Sequence, residues 1–118
     1  LDSERDIIAS VFINRLNKKM KLQADPTVRY GVSTLANKKR LTHNDLNRET
    51  AHNTYKINGL PPTPICNPGK ASIIAALSPA STDFFYFVAN GLGGHFFSKT
   101  LKEHNQNVLK WREIRDRL

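Results

Sequence analysis

Cysteine is almost missing from this chain. The single thiol, Cys66, has no partner for an internal disulfide, and no second Cys or His stands near it at zinc-ligand spacing. It reads as a small buried or half-buried side chain. No apolar run approaches the roughly 18 residues that a membrane span requires, and no signal peptide is visible. The chain opens on Leu1 and not on Met, so it is expected to be a piece of something longer, with any targeting or anchoring segment elsewhere. Glycine-rich phosphate loops of the GxxxxGK(S/T) or GxGxxG kind do not occur, nor does an HExxH helix or a nucleophile elbow. These gaps leave little support for nucleotide binding, zinc hydrolysis or serine-triad chemistry.

Acid is scarce as well. Asp and Glu number 10 against 18 Lys and Arg, a net charge of +8. Such an excess suits either an anionic partner or a generally positive, solvated surface. The basic residues are scattered, with small clusters at Lys18, Lys19, Lys21 and at Lys38, Lys39, Arg40. Aromatics do not interleave with them as in a nucleic-acid site, and no nucleic acid is expected as a partner. The four histidines, His43, His52, His95 and His104, form no metal-ligand pattern, so no metal and no cofactor are expected.

What is present fits one soluble globular domain over residues 1–118, with 39% hydrophobic and 24% charged residues. The spacing of Ile8, Val11, Phe12 and Leu16 predicts a helix from Asp2 to Lys19, N-capped by Ser3 with Glu4 and Asp6 in its first turn. Pro26 bars that helix from continuing and favours an extended Asp25, after which Thr27–Tyr30 can form a short strand closed by Gly31. Thr42 and Asp45 make a capping box for a short helix reaching Arg48. A strand is possible at Tyr55–Ile57, and Asn58-Gly59 is a turn signal. A second helix runs from Ala71 through Ile74, Ala75 and Leu77 to end before Pro79. Phe84–Ala89 reads as a central strand, residues 90–94 as a turn and His95–Ser98 as the returning strand. Leu101–Leu118 closes the chain as a helix with Leu101, Val108, Trp111, Ile114 and Leu118 available to the core. The class is α+β, a small antiparallel sheet flanked by helices.

Two segments do not read as core: QADPTVRYG at 23–31 and NTYKINGLPPTPICNPG at 53–69. They hold the neutral amides of Gln23, Asn53, Asn58 and Asn67, the rings of Tyr30 and Tyr55, and Pro26, Pro61, Pro62, Pro64 and Pro68. Stiff backbone carrying amides beside aromatic faces suits a sugar, whose hydroxyl and acetamido groups want hydrogen bonds while its C–H face stacks on rings. The same residues also make ordinary turns. His95, directly after a glycine turn, can point into a cleft or sit as a plain strand-edge histidine.

The chain resembles the endolytic murein transglycosylases, the YceG-like family. The similarity rests on SERDIIASVFINRL at 3–16, MKLQADPTVRYG at 20–31, NTYKINGLPPTPI at 53–65, NPGKASI at 67–73, FYFVANG at 85–91 and GGHFF at 93–97, in order along nearly the whole chain. The resemblance implies a YceG-like catalytic domain lacking its N-terminal part. The whole protein would sit in the bacterial inner membrane through one N-terminal span, with a LysM-like subdomain and this domain on the periplasmic or extracellular side. It implies internal cleavage of peptidoglycan glycan strands between N-acetylmuramic acid and N-acetylglucosamine, leaving a 1,6-anhydro end. One carboxylic acid protonates the leaving oxygen and then, as carboxylate, takes the proton of the sugar's own 6-hydroxyl.

In the family that glutamate lies in an EKET-like motif ahead of the SER segment, so it is expected upstream of Leu1, with Glu4 only a stand-in and the chain alone inactive. Carried over by motif, the groove residues are Gln23, Asp25, Thr27, Tyr30, Asn53, Tyr55, Gly59, Leu60, Pro61, Pro62, Asn67 and His95. Implied partners are peptidoglycan glycan strands, cell-wall synthases and the membrane. A non-catalytic peptidoglycan-binding module is the alternative.

Overall fold

The leading helix, α1 (Arg5–Asn17), follows a 3-10 turn at Asp2–Glu4, so Ser3 lies inside that turn and does not cap an α-helix. The computed structural model describes residues 2–117; the expectation for Leu118 falls outside them. The described residues gather into two compact units. One comprises the chain up to Asn14 together with the chain from Pro68 onward, and the other is Arg15–Asn67.

In the first unit α1 docks through polar groups as much as apolar ones. Val11 is buried, yet so is Ser10, whose hydroxyl meets Thr82 Oγ1 at 2.6 Å. One turn on, the Asn14 amide donates to the carbonyls of Thr82 (2.9 Å) and Phe84 (2.8 Å). Spacing of four residues puts both groups on one helix face. After α4 (Lys70–Leu77), N-capped by Gly69, the chain enters β1 (Tyr86–Ala89), which pairs antiparallel with β2 (His95–Ser98) in the register Phe87 opposite Phe97. The intervening turn closes through Asn90, whose Oδ1 accepts the Leu92 and Gly94 N–H groups. Half-buried aromatic rings pack against one another: Phe12 lies edge-on to Phe87 at 5.8 Å, and Phe84 stacks on Phe97 at 5.6 Å. Helix α5 (Leu101–Arg117) packs on both strands, with Val108, Trp111 and Ile114 half-buried.

Three expectations are corrected here. Among the described residues the sheet has two strands only, so β1 is not central and is half-buried along its length. Leu101 is exposed. The apolar face expected of α4 is largely in solvent: Ala75 is buried, whereas Ile74 and Leu77 are exposed.

The second unit is built from short turns of helix: α2 (Asp25–Arg29), a 3-10 turn at Ser33–Leu35, and α3 (His43–Leu46). The strand expected at Thr27–Tyr30 is this helix instead. Pro26 occupies its first turn, where a missing N–H costs nothing and the fixed φ fits; the extended residue is Ala24, not Asp25. Nor is Tyr55–Ile57 a strand, because the N–H groups of Lys56 and Ile57 both turn back to the Asn53 carbonyl. Cys66 is exposed, carried by a proline-punctuated loop that has no core to bury it in. Val28, Leu35 and Leu22 are the buried apolar side chains of this unit among the described residues. Arg29 clasps the 33–38 segment by donating to the carbonyls of Leu35 and Lys38, each at 2.6 Å.

The capping box of α3 is complete: the Thr42 hydroxyl accepts from Asp45 N–H, and Asp45 Oδ2 accepts from Thr42 N–H. Lys38 Nζ adds a 2.6 Å contact to the same oxygen. That ammonium and the Thr42 N–H hold the Asp45 carboxyl at about 2, below its ordinary 3.8. A carboxyl depressed on folding stabilises above its ordinary value and loses that contribution as pH falls through the folded one. The melting temperature of wild type is therefore expected to drop between pH 4 and pH 2 more steeply than that of Asp45→Asn. Parallel slopes in thermal melts across that window would contradict the assignment.

Candidate functional site

The polar residues singled out in the sequence sort into an inner lattice and an outer edge, both within Arg15–Asn67. The lattice centres on Thr54 and Asn53, each wholly buried. Thr54 Oγ1 accepts the Ala24 N–H at 2.9 Å and meets Thr27 Oγ1 at 2.8 Å; Thr27 Oγ1 in turn accepts the Thr54 N–H at 3.1 Å. Two threonines 27 residues apart thus stitch the QADPT turn to the NTY turn. Asn53 Nδ2 donates to the carbonyls of Leu46 (3.0 Å) and Arg48 (2.6 Å), and its Oδ1 accepts from Tyr55 N–H (2.9 Å). All of its side-chain capacity goes to backbone. Asn53 and Thr27 therefore brace the site from inside and do not line a groove.

The outer edge is formed by Gln23, Asp25 and Tyr55. Gln23 holds a left-handed backbone, φ +51°, with its N–H donated to the Thr54 carbonyl at 3.3 Å. Its side chain is exposed. Asp25, also exposed, accepts from the Tyr55 hydroxyl at 2.7 Å. Burial first, then the hydrogen bond and charge of Asp25, push the Tyr55 phenol well above its ordinary value. It remains a proton-bearing donor at all working pH values. Buried Arg15 reaches the same edge, donating to the carbonyls of Lys21 (3.0 Å) and Leu22 (3.3 Å), which fixes the approach to Gln23.

Farther along, Tyr30 presents a half-open ring packed on His52 at 4.6 Å between centroids, and His52 Nε2 meets Thr63 Oγ1 at 2.8 Å. Gly59 lines a separate cavity of about 350 Å³ together with Leu16, Lys19, Met20 and Asn58. Leu60, Pro62 and Asn67 are exposed and Pro61 half-buried.

Glu4 and His95 belong to the other unit and pair with each other. Glu4 Oε1 accepts from His95 Nδ1 at 3.0 Å, and Oε2 from the His95 backbone N–H at 3.2 Å. Gly94 permits the approach: a Cβ there would sit 3.0 Å from Oε2. The His95 side chain, more than any other contact, lowers the Glu4 carboxyl below its ordinary range. An acid catalyst needs the opposite shift. Glu4 is thus a structural carboxylate holding the end of the hairpin, and His95 is its donor. Among the described residues no cluster of His, Cys, Asp and Glu is arranged to hold a metal.

Sequence reasoning missed Thr54, Arg15, His52 and the cavity residues Leu16, Lys19 and Met20. Thr54 stands between two residues that it did select, but a threonine in a polar loop carries no mark of being buried.

Comparison with known proteins places the chain in a family. The model of the YceG-like family matches residues 1–110. The chain is 51% identical over 109 residues to the endolytic murein transglycosylase of Bacillus subtilis (strain 168), covering 92% of this chain and 30% of that protein. It is 32% identical over 109 residues to the endolytic murein transglycosylase of Streptococcus pneumoniae (strain ATCC BAA-255 / R6), covering 89% and 20% respectively. A crystal structure of a yceG-like protein from Listeria monocytogenes superposes with a TM-score of 0.75 at 52% identity, over 84% of this chain and 31% of that one. The chain thus spans less than a third of the length of these relatives.

Proposed function

The chain belongs to the YceG-like family, and from that membership we propose that it forms the glycan-holding part of a peptidoglycan lytic transglycosylase. The observation that carries the reading is the edge of exposed Gln23 and Asp25 and half-buried Tyr55 mounted on the buried Thr27–Thr54–Asn53 lattice. Donors and acceptors are fixed before any ligand arrives, so little ordering cost remains to be met on binding. A carboxylate locked by a tyrosine hydroxyl, beside an exposed amide whose oxygen accepts from Arg15 Nη1 at 3.5 Å, suits the hydroxyl and acetamido groups of an amino sugar.

The proposed reaction is internal cleavage of the strand between N-acetylmuramic acid and N-acetylglucosamine. A carboxylic acid gives its proton to the glycosidic oxygen, and the bond from that oxygen to the anomeric carbon breaks. The 6-hydroxyl oxygen of the same sugar closes on the anomeric carbon, and its proton returns to the carboxylate. No water is consumed, and a 1,6-anhydro ring forms. Glu4, kept ionised by His95, does not suit the donor's part. We assign that part to the glutamate motif that family resemblance puts ahead of the Ser3–Arg5 segment, and to Gln23, Asp25 and Tyr55 the task of holding the sugar. The proposed setting is the outer side of a bacterial inner membrane, anchored by a span in the whole protein and working beside cell-wall synthases. No described helix of this chain is itself long and apolar enough to cross a membrane.

The test uses the whole protein and purified murein. Wild type is expected to release anhydro-ended fragments, and Tyr55→Phe, which frees Asp25 from its hydroxyl partner, to lower kcat/KM about 10-fold while the melting temperature falls by only about 2–5 °C. Binding by wild type without anhydro products would instead make it a non-catalytic wall-binding module. Full turnover in Tyr55→Phe would remove the edge from the site.

A further inference from the structure

Helix α1 ends in a Schellman motif: Met20 N–H donates to the Arg15 carbonyl at 2.8 Å and Lys19 N–H to the Leu16 carbonyl at 3.1 Å. The residue after the cap must then be left-handed, a position that glycine takes without strain. Here it is Lys19, at φ +58°. A lysine held in a conformation that costs it free energy, where glycine would relax, directs attention to its side chain. That side chain borders the cavity of about 350 Å³, whose other walls are Leu16, Met20, Asn58 and Gly59. The volume is that of a small-ligand site. Two walls are apolar, one is a neutral amide, one is a cation and one is glycine backbone. Of the three acidic residues in Arg15–Asn67, Asp25 is engaged by Tyr55, Asp45 by Lys38, and Glu49 is exposed and does not line the cavity, while Lys18 and Lys21 add positive charge on either side of Lys19.

We propose that this cavity is a subsite for the peptide stem that murein carries on its lactyl sugars, distinct from the edge that holds the glycan. Alkyl parts of the stem lie on Leu16 and Met20, and a stem carboxylate is received by Lys19 and Asn58. The apolar walls favour a carboxylate on an alkyl chain over the phosphate of a lipid headgroup, which offers nothing for them to cover. The inference rests on the murein reading above and adds to it a preference for strands bearing stems.

The experiment compares whole protein carrying Lys19→Gly with wild type. Two ligands are used in binding at low temperature: soluble murein strands with stems, and the same strands stripped of stems by an amidase. Wild type is expected to favour stem-bearing strands. Lys19→Gly should melt about 2–4 °C higher, because strain is relieved, yet bind stem-bearing strands five- to tenfold more weakly, with stripped strands unaffected. Lys19→Arg, which keeps the charge, should retain the preference. A stabilised Lys19→Gly with unaltered preference would mean that the lysine only caps the helix, and the proposal would fall. Loss of binding to anionic phospholipid vesicles, with stem preference intact, would assign the cavity to headgroups and overturn it equally. Wild type that binds neither strand would sink the murein reading itself.

Discussion

Asn53→Ala is expected to lower stability by about 3 kcal/mol and to unfold Arg15–Asn67 before it tells anything about substrate. The side chain is wholly buried, and three backbone groups depend on it: the carbonyls of Leu46 and Arg48 and the N–H of Tyr55. Each buried group left without a partner costs on the order of 1–3 kcal/mol, and partial relaxation or water entry recovers some of the total. For a chain of this size that loss corresponds to a fall of roughly 10–15 °C in Tm. Asn53→Asp provides the sharper comparison. It keeps Oδ1 for Tyr55 but sets a second oxygen against two carbonyl oxygens, so it should be at least as damaging as alanine despite near-identical shape. If Asn53 contacted ligand and nothing else, both variants would melt within about 2 °C of wild type and differ only in turnover. Differential scanning calorimetry decides between these outcomes. The lattice reading also predicts that any activity lost in Asn53→Ala returns when folding is restored by cooling.

The segments easiest to read from sequence were those whose signals are local. Thr42 and Asp45 announce their capping box by spacing alone, and the two share hydrogen bonds in both directions. The hairpin follows from an aromatic run, a glycine turn and a second aromatic run, and α4 is bounded by Gly69 and Pro79. Where the reading went astray, a non-local partner decided the outcome. Pro26 looks like a barrier until the turn before it is seen to supply an extended Ala24, which makes the proline a helix-opening residue. Tyr55–Ile57 alternates like a strand, but the Asn53 carbonyl captures the N–H groups of Lys56 and Ile57. At the site, composition picked out the polar loops without telling inside from outside. Gln23, Asp25, Thr27 and Asn53 look alike in a list of amides, hydroxyls and acids. Only the pairing of Thr27 with Thr54 and the hydrogen bonds of Asn53 to backbone turn two of them into scaffold and leave two at the surface. Lys19 gave no sign at all, because the expected mark of a left-handed cap is a glycine and none is there.

Phe87→Ala is expected to cost about 3 kcal/mol in the unit that contains the hairpin, at the low end for phenylalanine truncation because the ring is half-buried. Three neighbours lose their partner at once. Phe12 on α1 meets the ring edge-on at 5.8 Å, His95 on β2 does so at 5.4 Å, and Phe97 faces it across the ladder at 6.3 Å. Each aromatic pair is worth about 0.5–1.5 kcal/mol beyond its area, so Phe87→Leu, which keeps most of the apolar surface but none of the ring contacts, should lose less than the alanine variant yet still about 1.5 kcal/mol or more. A second readout separates this arrangement from plain loss of volume. With its ring wall gone, His95 is free to leave Glu4, and the carboxyl moves back up towards its ordinary value of 4.5. In wild type the lowered Glu4 pKa adds stability above that value, and the gain disappears as pH falls through the folded pKa. Phe87→Ala should therefore show a shallower loss of Tm on acidification below about pH 4.5 than wild type, and Phe87→Leu, which also lacks the ring, should share it. A leucine variant that melts with wild type would mean that the ring contacts contribute nothing specific. An unaltered acid slope in Phe87→Ala would mean that His95 needs no aromatic wall to hold Glu4.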